Sequence, residues 1–257
     1  MHRIVIVGGG AGGLELATRL GNRLAKAGRA HVTLVDRSAV HVWKPLLHEV
    51  ATGSLDTHAH EISYAAHSHW NNFLFVRGEM RALDREKRCI TLGPFLGSDS
   101  SQTEVLPTRQ VHYDSLVLAL GSQTNFFGVP GAERHAIALD SLEQAEQLRK
   151  RLLQNCLRKR AQGSTVADEA VSVAIIGGGA TGVELAAELR RMEQTLKEFR
   201  LLADGPRASM RITLVERGDR VLPALPQRVS NRPLKYPLMN AHSIIRKSWR
   251  DAVFQMN

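Results

Sequence analysis

Two stretches of this 257-residue chain share a spacing of glycines suited to holding a pyrophosphate. Gly8, Gly10 and Gly13 stand in IVIVGGGAGGLELATRL (residues 4–20), and Gly177, Gly179 and Gly182 stand in VAIIGGGATGVELAAEL (residues 173–189). In Gly-x-Gly-x-x-Gly the first glycine allows a tight strand-to-helix turn, the second lets a phosphate approach bare backbone, and the third lets helix and strand pack closely. The phosphates then lie at a helix N-terminus, where unpaired N–H groups and the helix dipole favour negative charge. After each copy a second apolar strand ends in an acid, HVTLVD at Asp36 and RITLVE at Glu216. A carboxylate at that point can accept hydrogen bonds from both ribose hydroxyls and repels a 2′-phosphate. Glycine turns in two ordinary βαβ units are the competing explanation, and the recurrence of both acids counts against it.

These residues need parallel strands and helices to position them, so the pattern predicts an α/β chain with two Rossmann-like dinucleotide-binding domains. Arg3 to Val7 reads as the first strand and Gly12 to Ala27 as its helix, with Leu14, Leu16, Ala17, Leu20 and Leu24 on the buried side and Gly28 ending it. His31 to Asp36 is the second strand. Phe73 to Leu92 reads as a hairpin, FLFVRGEM and CITL turning at Asp84 to Arg88. Tyr113 to Leu120 reads as another buried strand closing on Gly121. Residues 97–104 and 162–170 read as polar loops, and Asn125 to Gly131 as a crossover between the halves. Ser141 and Gln144 form a capping-box pattern ahead of a helix whose apolar face is Leu142, Ala145, Leu148, Leu152, Cys156 and Leu157. In HVWKPLLHEVATGSLD (41–56), Trp43, Leu46, Leu47 and Val50 could pack a helix on the core, or the segment could lie over a flat cofactor ring.

Composition removes several classes. The formal net charge of +9 suits a polyanion or an anionic membrane surface, yet the basic residues are spread out and form no block, so a solvated basic surface explains them as well and no nucleic-acid partner is assigned. Cys89 and Cys156, the two cysteines, are far apart and make neither a disulfide framework nor a closely spaced redox pair, which suits a cytosolic protein. No apolar run approaches the roughly 18 to 20 residues of a membrane span. His58, His60, His67 and His69 tempt a metal reading, but residues two apart on a helix do not share a face and no cysteine or acid completes a ligand set, so no metal is assigned. The last stretch, SIIRKSWRDAVFQM, reads as a short amphipathic helix, either a poorly packed end or a membrane-surface element.

Together the motifs resemble the type II NADH dehydrogenases, the FAD-containing NADH:quinone oxidoreductases of the pyridine nucleotide-disulfide oxidoreductase superfamily, with its glutathione-reductase-like FAD/NAD architecture. The resemblance runs from about Arg3 to about Ser230 and is most specific in WKPLLHEVATGSLD (43–56); it also includes YDSLVLALGSQTNFFGVPG (113–131) and ITLVERGDRVLPALPQRVS (212–230). It implies that the first copy holds FAD, with Gly8, Gly10, Ala11, Gly12 and Gly13 at the pyrophosphate and Asp36, with Arg37 beside it, on the adenosine side. Met80 would bring its backbone near the adenine, Lys44 and Pro45 would lie by the flavin, and Ala119 to Gly121 would form the turn beneath it. The second copy would hold NADH through Gly177, Gly179, Gly182 and Glu216, and Glu184 matches a family glutamate close to the nicotinamide and the flavin. The implied activity is hydride transfer from NADH to flavin and reduction of a membrane quinone without proton pumping, by a protein peripheral to the inner face of the cell membrane, with a homodimer one of the assemblies open to it; the alternatives are a truncated nucleotide-binding fragment without turnover and another flavin-dependent NAD(P)H reductase of the same architecture. Glu184 would serve proton traffic or simply favour the helix N-terminus.

The resemblance implies domains at 1–124 (FAD), 125–170 (crossover and linker helix) and 171–230 (NADH), then an atypical tail at 231–257. After Ser230 the family's returning Gly-Asp strand and membrane-binding region are not found, so the sequence reads as a truncated member whose second domain is incomplete. Two strands would be too few for a parallel sheet of about five, leaving apolar surface open.

Overall fold

The computed structural model describes residues 1–97, 103–161, 171–202, 210–230 and 243–246. The loop expected at 162–170, most of that at 97–104, and Trp249, Val253 and Phe254 of the tail lie outside the described residues. The chain forms two compact units, Met1–Trp43 with Thr57–Gln123, and Lys44–Asp56 with Thr124–Asn257.

The first half runs β1 (His2–Val7), α1 (Ala11–Leu20), β2 (Ala30–Asp36), β3 (Val40–His41), α2 (Leu47–Thr52), α3 (Thr57–His60), β4 (Ile62–Ser63), α4 (Tyr64–Trp70) and β5 (Leu74–Arg77). Next come β6 (Met80–Asp84), β7 (Cys89–Leu92), β8 (Phe95–Leu96), β9 (Glu104–Leu106), β10 (Arg109–His112) and β11 (Ser115–Leu118). The second half holds α5 (Ala132–His135), α6 (Leu142–Ala161), β12 (Ser172–Ile176), α7 (Ala180–Glu198), β13 (Arg211–Glu216), α8 (Gln227–Ser230) and β14 (Ser243–Arg246).

In the first unit a parallel sheet of order β11-β1-β2-β5 is covered on both faces. Successive side chains of a strand point to opposite faces. Ile4 and Ile6 of β1 accordingly pack with Leu14 and Ala17 of α1, while Val5 and Val7 pack with Ile90 and Leu92 of β7, in the antiparallel sheet β10-β7-β6. Leu16, Leu20 and Leu24 are partly buried against the α1 side. After Leu20 the helix widens into a π-helical segment, Gly21–Ala25, and ends near Gly28 at φ +67°. A Cβ on Gly21 would stand within 2.1 Å of the Asn71 carbonyl oxygen, so this turn tolerates only glycine without a shift.

The expected hairpin is shorter than the sequence suggests. The strand Leu74–Arg77 leaves it and pairs in parallel with β2, Thr33 to Leu74 through Asp36 to Arg77, so that only β6 and β7 form the hairpin. The strand expected to be buried near Tyr113–Leu120 lies at the sheet edge, with Leu118 50% and Leu120 63% exposed. It pairs on one side only, with β1, and an edge strand lacks the second neighbour that would cover it.

The second unit has a three-stranded parallel sheet of order β12-β13-β14. Its third strand, Ser243–Arg246, lies in the tail and corrects the helix expected there: SIIR pairs with β13 from Thr213–Ser243 to Glu216–Arg246. A short apolar run cannot be assigned to helix or strand by periodicity alone, and the available β13 edge decides it. In α6 the capping box forms as expected, with Gln144 N–H donating to Ser141 Oγ (3.3 Å) and Ser141 N–H donating to Gln144 Oε1 (3.1 Å). Ala145, Leu152 and Cys156 are buried along this helix, whereas Leu157, expected on the same face, is exposed. The segment 44–56 departs from the expected 1–124 domain because α2 buries Leu47, Val50 and Ala51 and packs on α6 and α7.

Candidate functional site

Each unit carries one glycine loop between a strand and a helix, and each loop is braced by the acid at the end of the next strand. In the first unit Gly8 adopts φ +104° and donates its N–H to the Val35 carbonyl (2.8 Å). A Cβ on Gly8 would lie 2.2 Å from the Ala119 carbonyl oxygen, and one on Gly13 would lie 1.8 Å from the Gly8 carbonyl oxygen. These two glycines are therefore steric requirements of the strand-to-helix turn. Gly10 caps α1, and Cβ atoms built on Gly10 or Gly12 would meet nothing within 4 Å. The absence of side chains there leaves open space in front of Ala11, the first residue of α1, which is the cradle that a pyrophosphate needs.

Asp36 holds the loop from below. Its Oδ2 accepts the Gly9 N–H at 2.6 Å and its Oδ1 accepts the Ser38 N–H at 2.8 Å. A carboxylate has about four lone-pair sites, so these two bonds leave capacity for ribose hydroxyls. Two further side chains, singled out by nothing in the sequence, meet the same loop: Tyr64 Oη donates to the Gly9 carbonyl at 2.6 Å, and His41 Nδ1 lies 2.9 Å from it. Burial first, and the Asp36 charge second, push the Tyr64 hydroxyl above its ordinary pKa, so it stays protonated as a donor.

The remaining residues expected at the cofactor come from separate segments of the chain. Arg37 follows β2, and its carbonyl accepts a bond from Arg77 Nε (3.4 Å). The Gly78 N–H donates to the Asp36 carbonyl (2.8 Å), two residues ahead of Met80, which starts β6 and packs against the cluster that holds Val35 of β2. Ala119 N–H is bound to the Val7 carbonyl (2.8 Å), and Gly121 takes φ +71°. Lys44 and Pro45 are exposed in a short 3-10 turn, Lys44–Leu46, that belongs to the second unit.

The second unit repeats the arrangement. Gly177 has φ +110°, a Cβ on Gly182 would fall 2.0 Å from the Gly177 carbonyl oxygen, and one on Gly179 would meet nothing within 4 Å. Glu216 accepts the Gly178 N–H through Oε2 (2.6 Å) and the Gly218 N–H through Oε1 (2.7 Å), as Asp36 does with Gly9 and Ser38. Here the Gly178 carbonyl is held by the Leu222 N–H at 2.7 Å.

Glu184 lies in the second turn of α7 with its carboxylate 3.8 Å from Nδ1 of the buried His48 on α2. That nitrogen has no hydrogen-bond partner among the described residues. The equivalent residue of the first copy, Glu15, instead pairs with exposed Arg19 at 2.5 Å. Within α2 Glu49 Oε1 is 4.0 Å from His48 Nε2, and Ser54 Oγ donates to Glu188 of α7 at 2.6 Å, so a hydrogen bond as well as packing ties the LHEVATGS segment to α7. Among the described residues no cluster of three or more His, Cys, Asp or Glu could hold a metal, and His67 bonds Thr18 instead (2.9 Å). No helix among them is long and apolar enough to cross a membrane.

Residues 2–237 match the family model for pyridine nucleotide-disulphide oxidoreductases. The chain belongs to that family. Within the pyridine nucleotide-disulphide oxidoreductases it is 41% identical over 242 residues to the type II NADH:quinone oxidoreductase of Haemophilus influenzae, covering 90% of this chain and 54% of the relative. It is 30% identical over 227 residues to the demethylphylloquinone reductase of Synechocystis sp., covering 88% of this chain and 48% of that protein. Among solved structures, NDH2 from Plasmodium falciparum in complex with NADH superposes with a TM-score of 0.70 at 22% identity, over 90% of this chain and 44% of that one, and shows the shared fold. The chain thus spans about half the length of the curated relatives it matches.

Proposed function

We propose that this chain carries the FAD- and NADH-binding loops of a type II NADH:quinone oxidoreductase. FAD bound at the first loop would accept hydride from NADH and return two electrons, with protons, to a quinone. The observation that carries the reading is the repeated brace, Asp36 on Gly9 and Glu216 on Gly178, which preforms two nucleotide loops in one chain. Its support from relatives is the 41% identity to a type II NADH:quinone oxidoreductase.

The chain's own residues would bind and orient. Gly10, Ala11, Gly12 and Gly13 would receive the FAD pyrophosphate at the N-terminus of α1, and Gly177, Gly179 and Gly182 the NADH phosphates at that of α7. Asp36 and Glu216 would accept ribose hydroxyls with their spare lone pairs, and Glu216 would repel the extra phosphate of NADPH. Arg37, Met80, Ala119 and Gly121 would border the FAD, Lys44 and Pro45 would lie by the flavin, and Glu184 would sit near the nicotinamide as a proton-handling carboxylate. The quinone, a membrane surface on the cytoplasmic side and a homodimer are the partners that follow from this reading.

The test is to purify the chain, load it with FAD, record absorbance near 450 nm and add NADH without oxygen. Bleaching followed by reoxidation on adding a soluble quinone is expected. No flavin uptake and no bleaching would overturn the reading, while FAD uptake without bleaching would reduce it to nucleotide binding.

A further inference from the structure

The middle glycine of the first loop is fixed at both of its polar groups. Its N–H is bound by Asp36, and its carbonyl is bound by Tyr64 and His41, both buried. A peptide bond is planar and trans, so the carbonyl of Gly9 and the N–H of Gly10 point in opposite directions. Holding the carbonyl against Tyr64 and His41 therefore turns the Gly10 N–H away from them. Cβ atoms on Gly10 and Gly12 would meet nothing within 4 Å, whereas one on Gly9 would come within 2.5 Å of the Tyr64 ring and hydroxyl. One side of the loop is thus packed on Tyr64, and the other is left for a ligand.

The second loop shows that this restraint is a property of the site. Gly178 has its N–H on Glu216 and its carbonyl on the Leu222 N–H at 2.7 Å. The first copy achieves the same geometry with side chains 32 and 55 residues away. The bridge of β3 to β4, which pairs His41 with Ile62, brings His41 beside Tyr64, their ring centroids 6.2 Å apart. Phe75 packs on the Tyr64 ring at 5.1 Å.

We propose, on the basis of the FAD-binding reading of this loop, that Tyr64 and His41 are positioning residues that set FAD affinity by holding the Gly9–Gly10 peptide in its phosphate-receiving orientation. Losing one hydrogen bond of this kind leaves the carbonyl with its other donor, so each single substitution has a partial effect and the pair a larger one.

The experiment titrates FAD into the apoprotein and reads flavin fluorescence, the phosphorus-31 shifts of bound FAD and the melting temperature of the apoprotein. Tyr64→Phe and His41→Phe are each expected to weaken FAD binding about five- to tenfold, and the double variant about thirtyfold or more, with displaced pyrophosphate resonances. Phe75→Leu, which loosens the same core without a bond to Gly9, is expected to lower the melting temperature yet keep the resonances and an affinity within about twofold. Wild-type affinity and shifts in both single variants would overturn the proposal, as would the same shifts and loss in Phe75→Leu. Failure of the wild-type chain to bind FAD would overturn the FAD reading and this inference with it, whereas wild-type binding with indifferent variants would overturn this inference alone. If Tyr64→Phe does not fold, the His41→Phe and Phe75→Leu comparison decides by the same criteria.

Discussion

Gly10 and Gly13 are three residues apart, yet their replacement by alanine is expected to fail in different ways. A Cβ on Gly13 would sit 1.8 Å from the Gly8 carbonyl oxygen, more than an ångström inside the closest approach that Cβ atoms make. The obstruction is backbone on both sides, so the start of α1 must lift from β1, and overpacking of this sort costs about 2 kcal/mol or more. For a chain of this size that lowers the melting temperature by about 4 to 8 °C. Gly10 has φ −61°, a value open to any residue, and its Cβ would meet nothing. Alanine there costs only the poorer N-cap, about 0.5 to 1 kcal/mol. Its methyl group would instead occupy the open space in front of α1, and FAD affinity should fall at least about tenfold by the displacement of a buried phosphate contact. Differential scanning fluorimetry of the apoproteins and FAD titration of each variant separate the two effects. A Gly13→Ala apoprotein that melts like wild type, or a Gly10→Ala protein that binds FAD like wild type, would refute the steric assignment.

Three other outcomes can be checked. Glu216→Ala should loosen the Gly178 and Gly218 contacts and remove the charge that repels a 2′-phosphate; the ratio of NADH to NADPH dissociation constants should move towards one, and an unaltered ratio would contradict the assignment. Burial pushes the Glu193 carboxyl up, but hydrogen bonds from Lys197 and Arg190 outweigh it and hold the group below its ordinary range. Its folded pKa lies below its unfolded one, so the stabilisation is complete above about pH 4.3 and is lost as pH falls through the folded value; melting curves from pH 7 to pH 3 should show an acid limb that Glu193→Gln flattens. Ser141→Ala should cost about 1 kcal/mol by removing the acceptor for the Gln144 N–H, seen in urea unfolding as a lower midpoint with an unchanged slope.

The legible features of the sequence are those whose causes are local. The glycine loops, the acids Asp36 and Glu216 and the Ser141–Gln144 cap each depend on residues within one strand-helix-strand unit or one helical turn, and their spacing states their geometry. Partner choice is different. Leu74–Arg77 has the same apolar character whether it folds back on β6 or runs beside β2, and the free β2 edge decides the matter. Ser243–Arg246 is too short for its period to distinguish helix from strand, and β13 supplies the pairing. The segment 44–56 joins the second unit through the burial of Leu47, Val50 and Ala51, which an apolar pattern signals without naming its neighbour. Tyr64 and His41 leave no trace of their role at all, because their common partner is a main-chain carbonyl, and every residue has one.

The two middle-glycine carbonyls are anchored by different materials. Gly178 relies on the Leu222 main-chain N–H, which every residue but proline supplies, held at φ +52°, a left-handed conformation that disfavours β-branched side chains. Gly9 relies on a phenol and an imidazole, each one base change or so from losing its donor. A substitution at Tyr64 or His41 therefore reaches the first loop's anchor directly, whereas the second loop's anchor answers to the backbone conformation at Leu222, so two matching loops differ in which changes can loosen them.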